Sequence, residues 1–307
     1  MSPENNRQMK TTNDGLEILF CGTGAADWEW ERYGERGGEG IRGSCATLID
    51  GHVLIDCGTT GHRSLVRWGI DPRAIREVWF THSHGDHCDP REISALLDAR
   101  GTRAAPLRLR GTAPLLERLA AALGGIPETS GRSGGEPGRR RPANGTAATR
   151  RGRFEPLPFA PLEPFRAQGR LVTPLPANHL TGIPGETPVH FLVRGAEASM
   201  LYALDGAWMT AAARRAIGSE PLDLIVWDAT VEMPGDWRIF EHNDLEMVRA
   251  MSARLAADGV VRPDTMQVLD HIARTLWRTP IRVPRPFRVA SDGMRLVVRR
   301  RQGGFDK

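Results

Sequence analysis

The amino-acid sequence predicts an α/β protein, in which short buried strands alternate with amphipathic helices. Apolar runs of strand length recur along the chain, and segments whose apolar residues repeat at helical spacing separate several of them. Five of the apolar runs end in His or Asp where the chain turns. In α/β proteins such groups cluster at one edge of the sheet, at the ends of strands. A hydrophobic fraction of 40% over 307 residues is ample for a buried core.

The first predicted strand covers residues 16–21 and ends in Gly22-Thr23-Gly24. These glycines resemble the start of a dinucleotide-binding loop, but Asp27 stands where that fingerprint needs its third glycine. We therefore expect a tight turn at this point. The following Gly-rich loop carries Trp28 and Trp30, which are candidates for substrate contact. Packing of these two side chains onto the domain surface is an equally good interpretation.

A β-hairpin is predicted over residues 44–56, because Asp50-Gly51 separates two apolar runs. The second run ends in Asp56, whose carboxylate could orient a metal-binding histidine from behind. A simple turn-capping role for Asp56 fits the spacing as well. Helical spacing then predicts a helix over residues 60–69, with a glycine as its stop.

The strongest signal is a cluster of three histidines and one aspartate that directly follows a short apolar run. Residues two apart on an extended strand end project to the same side, so His82 and His84 can hold one ion together. Gly85 is expected to let the backbone turn, so that Asp86 and His87 face a second ion. Neutral imidazole and carboxylate are ligands of zinc, manganese and iron. The cluster therefore predicts a metal site.

Further along, helices are predicted over residues 90–99 and 113–123, with a strand over residues 107–111 between them. Residues 124–153 differ in composition, because Gly, Pro, Ser and Arg dominate. This composition indicates a flexible insertion. Its arginines could meet a phosphate-rich partner, although a solvated loop is the simpler account.

The second half of the chain repeats the theme of an apolar strand that ends in His or Asp. Helices are predicted over residues 211–217 and 243–257. The four strands and their terminal groups are 171–175 before His179, 200–204 before Asp205, 222–227 before Asp228, and 265–269 before Asp270 and His271.

Composition narrows the function classes. The net charge of +4 suits anionic substrates but does not by itself argue for nucleic acid. Four cysteines without Cys-x-x-Cys spacing indicate neither a structural zinc knuckle nor a disulfide framework. Residues 1–15 are predicted to be a disordered tail and residues 300–307 a basic tail. With no apolar leader or membrane-length run, we expect a cytoplasmic protein without membrane contact.

The His-x-His-x-Asp-His pattern at His82, followed by a distant His, Asp and His, resembles the metallo-β-lactamase-fold hydrolases over residues 16–299. The resemblance implies a four-layer αββα sandwich, with two mixed β-sheets face to face and helices outside. It also implies two divalent ions, zinc or manganese with iron as a third option. The implied ligands are His82, His84 and His179 for one ion, Asp86, His87 and His271 for the other, and Asp205 as the bridge.

Within that superfamily, Glu241-His242-Asn243-Asp244-Leu245 resembles a segment of the phosphoribosyl 1,2-cyclic phosphate phosphodiesterases. Asp228-Ala229-Thr230 and residues 292–296 fit that branch too. Two features depart from it. Several of these enzymes carry a Cys-rich zinc site near the N-terminus, whereas residues 27–43 contain no cysteine, and the Arg-rich insertion is an addition.

This resemblance assigns roles around the metal site. Asp86 and His242 are the expected catalytic residues, with His242 as general acid because imidazole titrates near working pH. A phosphate-positioning contact or a place at a helix N-terminus is the alternative for His242. Asp228 is expected to lie behind the ligands. Asp244 could orient His242 or cap the following helix.

These observations predict a binuclear metal-dependent phosphodiesterase that opens a small, cyclic phosphate ester by attack of a metal-bound hydroxide. A lactonase or β-lactamase-type hydrolase and an RNA-processing nuclease are the alternatives, and a non-catalytic binding protein is a third class. The expected partner is a small anionic phosphate ester. Nucleic acid ranks behind it, and a homodimer is left open.

Overall fold

The structure, a computed structural model, describes residues 15–35, 38, 40–124 and 152–300. The predicted N-terminal tail, except residue 15, almost all of the Arg-rich insertion and the C-terminal tail after residue 300 lie outside the described residues. No helix in the described ranges is both long and apolar enough to cross a membrane.

The first half of the chain forms six strands and three helices in the described residues. The strands are β1 (Leu16–Gly22), β2 (Ala46–Ile49), β3 (Val53–Ile55), β4 (Glu77–Trp79), β5 (Leu107–Gly111) and β6 (Phe154–Pro158). The helices are α1 (Gly61–Arg67), α2 (Pro90–Arg100) and α3 (Ala113–Ala122).

The second half adds eight strands and two helices. The strands are β7 (Phe165–Ala167), β8 (Arg170–Pro176), β9 (Val189–Arg194), β10 (Ser199–Ala203), β11 (Leu224–Asp228), β12 (Met266–Asp270), β13 (Phe287–Val289) and β14 (Arg295–Val298). The helices are α4 (Ala211–Ile217) and α5 (Leu245–Ala257).

Two seven-stranded sheets form the centre of the molecule. Their strand orders are β14-β1-β2-β3-β4-β5-β6 and β7-β8-β9-β10-β11-β12-β13. In each sheet, read in that direction, the first three pairings are antiparallel and the last three are parallel. The carboxyl ends of the parallel strands in each sheet therefore share one edge.

Alternation along the strands builds the layers. Ile18 and Phe20 belong to the core between the two sheets, whereas Leu19 between them packs with the apolar residues of α1, α2 and α3. In the second sheet, Val226 faces the inter-sheet core and Trp227 faces α4 and α5. Because residues two apart on a strand share a face, each sheet buries both faces. The predicted α/β class and four-layer αββα sandwich are confirmed.

The strands that the sequence did not predict are β9 and all four sheet-edge strands: β6, β7, β13 and β14. The edge strands are partly exposed, so they lack the continuous apolar run of a central strand such as β10. The edge strand β6 carries two prolines, which a central strand would not tolerate. The predicted hairpin is present, with Asp50 and Gly51 at φ 47° and 73° as a two-residue turn requires.

Candidate metal centre

The loop after β4 is a tight turn that is tied to the end of β3. The carbonyl of His84 accepts hydrogen bonds from the backbone N–H groups of His87 (2.9 Å) and Cys88 (2.8 Å), and Cys57 N–H donates to the carbonyl of His87 (2.7 Å). A Cβ at Gly58 would stand 1.8 Å from the carbonyl oxygen of Asp86. The sequence analysis missed this requirement for glycine.

The chain turns at Gly85 as expected, but the turn does not require a glycine there. The φ of Gly85 is not in the left-handed region, and a Cβ built there meets no atom within 4 Å. The turn is held by the hydrogen bonds to His84 and by the contact with β3. The glycine that the loop needs is therefore Gly58, on the neighbouring strand end.

The first donor set contains three imidazoles whose nitrogens converge. His84 Nδ1 lies 3.0 Å from His82 Nε2 and 3.1 Å from His179 Nε2. Asp205 Oδ2 lies 3.7 Å from His82 Nε2 and 3.6 Å from His179 Nε2. The structure thus brings the first three predicted ligands and the predicted bridge together from three separate parts of the chain.

The second donor set adjoins the first through Asp205. Its other oxygen, Oδ1, lies 2.9 Å from His87 Nε2 and 3.2 Å from His271 Nε2. Asp86 Oδ2 lies 3.3 Å from His271 Nε2 and 3.7 Å from His87 Nε2. Each set is a group of four side chains able to hold a metal ion, and Asp205 belongs to both.

The geometry of both sets fits a cation. A tetrahedral ion with ligands at about 2.1 Å separates neighbouring donor atoms by roughly 3.4 Å, and the distances above scatter around that value. His87 Nε2 and Asp205 Oδ1 are buried and lie close together, yet neither makes a hydrogen bond of acceptable geometry with any described residue. Buried polar atoms without partners are costly, and a shared cation would satisfy both.

Groups behind the ligands set which nitrogen of each ring faces the centre. His87 Nδ1 donates to Asp56 Oδ2 (2.8 Å), which leaves Nε2 for an ion. Asp56 also accepts from the backbone N–H (2.8 Å) and the hydroxyl of Thr81. His179 Nδ1 donates to the carbonyl of Glu241 (3.1 Å). Such outer contacts orient ligands and raise their basicity; the sequence had indicated Asp56 but not Thr81 or Glu241.

The histidines of the two donor sets differ in the direction in which their pKa values are shifted. Burial lowers the pKa of His82 well below its ordinary value, and it lowers the pKa of His179, so both rings are neutral ligands. Burial alone would also lower the pKa of His87 and of His271, but Asp205 and the neighbouring acidic groups raise both. Burial opposes ionisation of Asp205, yet His271 and His87 hold its pKa well below the usual range. The bridging carboxylate is therefore ionised.

A third cluster lies beside the two donor sets. His242 Nδ1 donates to Asp228 Oδ2 (2.9 Å). The hydroxyl of Thr230 donates to Asp228 Oδ1 (2.7 Å) and lies 2.6 Å from His271 Nδ1. Asp228 therefore supports His242 directly and His271 through Thr230, a residue whose role the sequence did not reveal. Burial lowers the pKa of His242, but Asp228 more than offsets this and raises it.

Three predicted residues lie elsewhere. Asp244 caps α5, since its Oδ1 accepts from Met247 N–H (2.7 Å), and this contact supports the capping interpretation over contact with His242. Trp28 and Trp30 pack onto the domain instead of lining the cavity at the donor sets. Their indole N–H groups donate to the carbonyls of Ile272 (2.8 Å) and Arg42 (3.1 Å). Their predicted substrate contact is therefore not supported.

A cavity of about 340 Å³ opens onto the donor sets. Its wall includes one guanidinium, Arg238, and the carboxylates of Asp27 and Glu241, besides the donor-set residues Asp86 and Asp205. An anion would be repelled by these carboxylates unless cations neutralised them. The cavity therefore suits an anionic ligand only when the donor sets are loaded.

The site is also a place of backbone strain. Asp56, Asp205 and His271 are three of the six described non-glycine residues with positive φ, at 60°, 47° and 58°. Each stands at the end of a strand whose residues are buried, and the surrounding hydrogen bonds hold it there. Strain of this kind costs of order 1–3 kcal/mol per residue and persists where the surrounding structure requires it.

Comparison with known structures decides the fold. A Bacillus subtilis protein described as a metallo-β-lactamase fold protein, YhfI, is 14% identical and has a TM-score of 0.62, with 92% of this chain and 100% of that chain covered. The chain has the metallo-β-lactamase fold. A diphosphatase from the PhnP family shares this fold at 17% identity and a TM-score of 0.65, over 92% of this chain and 96% of its own.

Sequence comparisons match parts of this metallo-β-lactamase-fold chain. The family profile of the anti-Pycsar protein Apyc1 matches residues 16–133, less than half of the chain. A ribonuclease Z from an Exiguobacterium species is 33% identical over 33% of this chain. That match spans 28% of the ribonuclease, so less than a third of its length is covered. Residues 16–133, which the family profile matches, contain the His82–His87 motif. The chain has the metallo-β-lactamase fold and two donor sets able to hold metal ions.

Proposed function

We propose that this chain is a binuclear metal-dependent phosphodiesterase that opens a small cyclic phosphate ester. The observation that carries the proposal is the His242–Asp228 pair, which stands beside the two donor sets at the same cavity. A hydrolase that expels an alkoxide needs a proton donor at this position. The donor sets alone do not supply that proton, whereas the His242–Asp228 pair can.

The roles follow from the contacts. His82, His84 and His179 would hold one ion, Asp86, His87 and His271 the other, and Asp205 both. Bound cations would lower the pKa of a water molecule and neutralise the oxygens of the phosphodiester. Arg238 on the cavity wall would contact a phosphoryl oxygen that the cations leave free. The site thus favours a compact anionic ester.

His242 would protonate the leaving oxygen. Its Nδ1 is engaged by Asp228, so Nε2 is the nitrogen left for a ligand, and the raised pKa keeps the ring protonated to higher pH. A general acid in such a place contributes about 10²–10⁴-fold to the rate. Thr230 holds Asp228 in position from its other oxygen.

A cyclic phosphodiester is the favoured substrate class for two reasons. The cavity of about 340 Å³ lies at the low end of ligand pockets and suits a compact molecule. The Apyc1 family, whose profile matches the motif-bearing half, acts on cyclic nucleotides. Cyclic nucleotides and ribose cyclic phosphates share the strained ester and the alkoxide leaving group.

The test compares two leaving groups in wild type and His242→Ala, each with its metal content determined. With a cyclic nucleotide or ribose cyclic phosphate, His242→Ala should lower kcat by about 10²–10⁴-fold, because the alkoxide needs a proton. With bis(4-nitrophenyl) phosphate the loss should be small, because a nitrophenolate leaves without one. His62→Ala, a histidine on α1, is the matched control and should retain both activities.

Two results would contradict the proposal. Equal losses on both esters would remove His242 from the role of general acid. No turnover of any phosphodiester by protein that holds two ions would direct attention to lactones and amides instead.

RNA processing is the second candidate, and the ribonuclease Z relative is the observation that favours it. A nuclease of this type would release a terminal nucleotide segment from a structured RNA and would leave small cyclic esters intact. Incubation with both substrate classes separates the two candidates.

A further inference from the structure

A second and larger concave surface lies away from the metal centre. We call it the arginine groove; its volume is about 1090 Å³. Among the described residues, a single carboxylate, Glu155, lines it together with Arg73, Arg76, Arg100, Arg103 and Arg108. It is formed by the segment before β4, the end of α2, the loop that leads to β5, and the start of β6. Five guanidinium groups against one acid make its field strongly positive.

Several of these charges are available to a ligand. Arg76 and Arg103 are exposed, and neither makes a side-chain hydrogen bond or ion pair within the described ranges. Arg73 pairs with Asp71 at 3.6 Å, but both side chains are largely exposed, so the pair contributes little. Arg108 is less available, because it lies 3.3 Å from the buried Glu77, which it shares with Arg110, and 3.6 Å from Glu155.

Arg100 holds the walls of the groove in place. Its side chain is buried, and its guanidinium donates to the carbonyls of Pro72 (3.2 Å), Ala105 (2.8 Å) and Ile75. These carbonyls belong to the segment before β4 and to the loop before β5. The spacing between the two arginine-bearing walls is therefore preset, and a ligand need not order them.

We propose that the arginine groove binds the phosphate backbone of a nucleic acid. No aromatic or large apolar side chain is among its described lining residues, whereas small-molecule pockets are mostly apolar. Its volume exceeds the usual upper limit of such pockets, about 1,000 Å³. Exposed guanidinium groups without base-stacking partners are suited to charge-based, sequence-independent recognition of phosphates.

The groove is separate from the metal centre. Arg76 precedes β4 and His82 follows it, and none of the described residues lines both the groove and the metal cavity. The ligands follow the carboxyl end of β4, whereas the groove lies at its amino end. A small ester in the metal cavity cannot reach the arginines, so the proposal stands or falls independently of the proposed function.

The experiment measures fluorescence anisotropy of a labelled oligouridylate of about 15 nucleotides with the full chain over a series of KCl concentrations. Arg76→Ala/Arg103→Ala should weaken binding and reduce the slope of log K against log salt by about 1.4, at roughly 0.7 for each lost phosphate contact. Arg76→Lys/Arg103→Lys should retain binding, because a phosphate backbone is read by charge.

Arg282→Ala/Arg288→Ala is the matched control. Both arginines are exposed, without a side-chain partner in the described part of the chain, and they lie by β13 at the far edge of the other sheet. This control should leave both affinity and slope at wild-type values. Metal content and bis(4-nitrophenyl) phosphate hydrolysis should be unchanged in every variant.

Three outcomes would overturn the proposal. The first is an Ala variant that binds the oligonucleotide as the control does. The second is a groove that binds a free nucleoside triphosphate or inorganic diphosphate but not the oligonucleotide. The third is a loss of hydrolysis or metal in the Ala variant, which would assign Arg76 and Arg103 to the metal centre.

Discussion

The two sheets repeat one strand pattern, yet they contribute to the metal centre in different ways. β3 and β10 occupy equivalent positions, and each is followed by an aspartate with positive φ. Asp56, after β3, accepts hydrogen bonds from His87 and Thr81 and lies behind the ligands. Asp205, after β10, lies between the two donor sets. The same backbone position thus lies behind the ligands in one half and between the donor sets in the other.

A threonine repeats in the same way. After β4, Thr81 joins Asp56 to His82 and His87. After β11, Thr230 joins Asp228 to His242 and His271. In the first half, Thr81 and Asp56 support two rings, His82 and His87, that belong to the donor sets. In the second half, one of the two rings is His242, which lines the cavity and belongs to neither of the two donor sets, so the second copy of the pattern is the one that can supply a proton.

The bridging aspartate should show the largest effect. Asp205→Ala should lose both ions and reduce hydrolysis by more than the roughly 10²–10³-fold that removal of a single electrostatic group costs. Its counterpart Asp56→Ala should retain metal with an affinity lowered by about 10–100-fold. Elemental analysis and steady-state kinetics on both variants test the comparison. Equal metal loss from the two would erase the distinction between bridging and orientation.

The next largest effect is expected from a comparison of alanine substitutions at Gly58 and Gly85, which should differ in the free energy of unfolding. Gly58→Ala forces a Cβ against the Asp86 carbonyl and should destabilise the fold by roughly 1–3 kcal/mol or more. Gly85→Ala meets open space and should change the free energy of unfolding by less than about 0.5 kcal/mol. Urea unfolding measures both. A destabilised Gly85→Ala variant would show that the turn after β4 needs its glycine after all.

The contact between Asp228 and His242 should be visible in the pH dependence of kcat. Asp228 raises the pKa of His242, so its proton is lost at higher pH than from an ordinary histidine. A general acid works only while protonated, and kcat should therefore fall as the pH rises through this pKa. Asp228→Asn lowers the pKa and should shift that fall to lower pH, whereas Asp56→Asn should leave it in place. A pH profile on a cyclic ester that is unchanged in Asp228→Asn would contradict this assignment.

The smallest effect on hydrolysis is expected from substitution of Trp28. Trp28→Phe removes the indole N–H that donates to the Ile272 carbonyl and should cost about 1 kcal/mol of stability. KM for a small ester should stay at the wild-type value, since Trp28 does not line the cavity. A raised KM with unchanged stability would restore Trp28 to the substrate site.

Some features of this molecule can be predicted from short stretches of its sequence. The His82–His87 motif, the Asp50-Gly51 hairpin, the central strands and α4 follow from periodicity, turn residues and ligand spacing, which neighbouring residues decide among themselves. The edge strands were not predicted because each of them is partly exposed to solvent. The edge strand β6 also contains proline. Asp244 illustrates a local ambiguity that the Met247 N–H contact resolved in favour of a cap.

The sequence by itself determined the α/β class, the metal chemistry and the candidate ligands, because donor type and strand-end position are properties of short segments. The tertiary structure brought the aspartates that the sequence had indicated into contact with their histidines, Asp205 between the donor sets and Asp56 behind them. It alone showed that Gly58 makes room for Asp86, that Thr81 and Thr230 link carboxylates to histidines, and that arginines from separate segments line one groove. Each of these depends on contacts between residues far apart in the chain, and such contacts exist only once the sheets have packed.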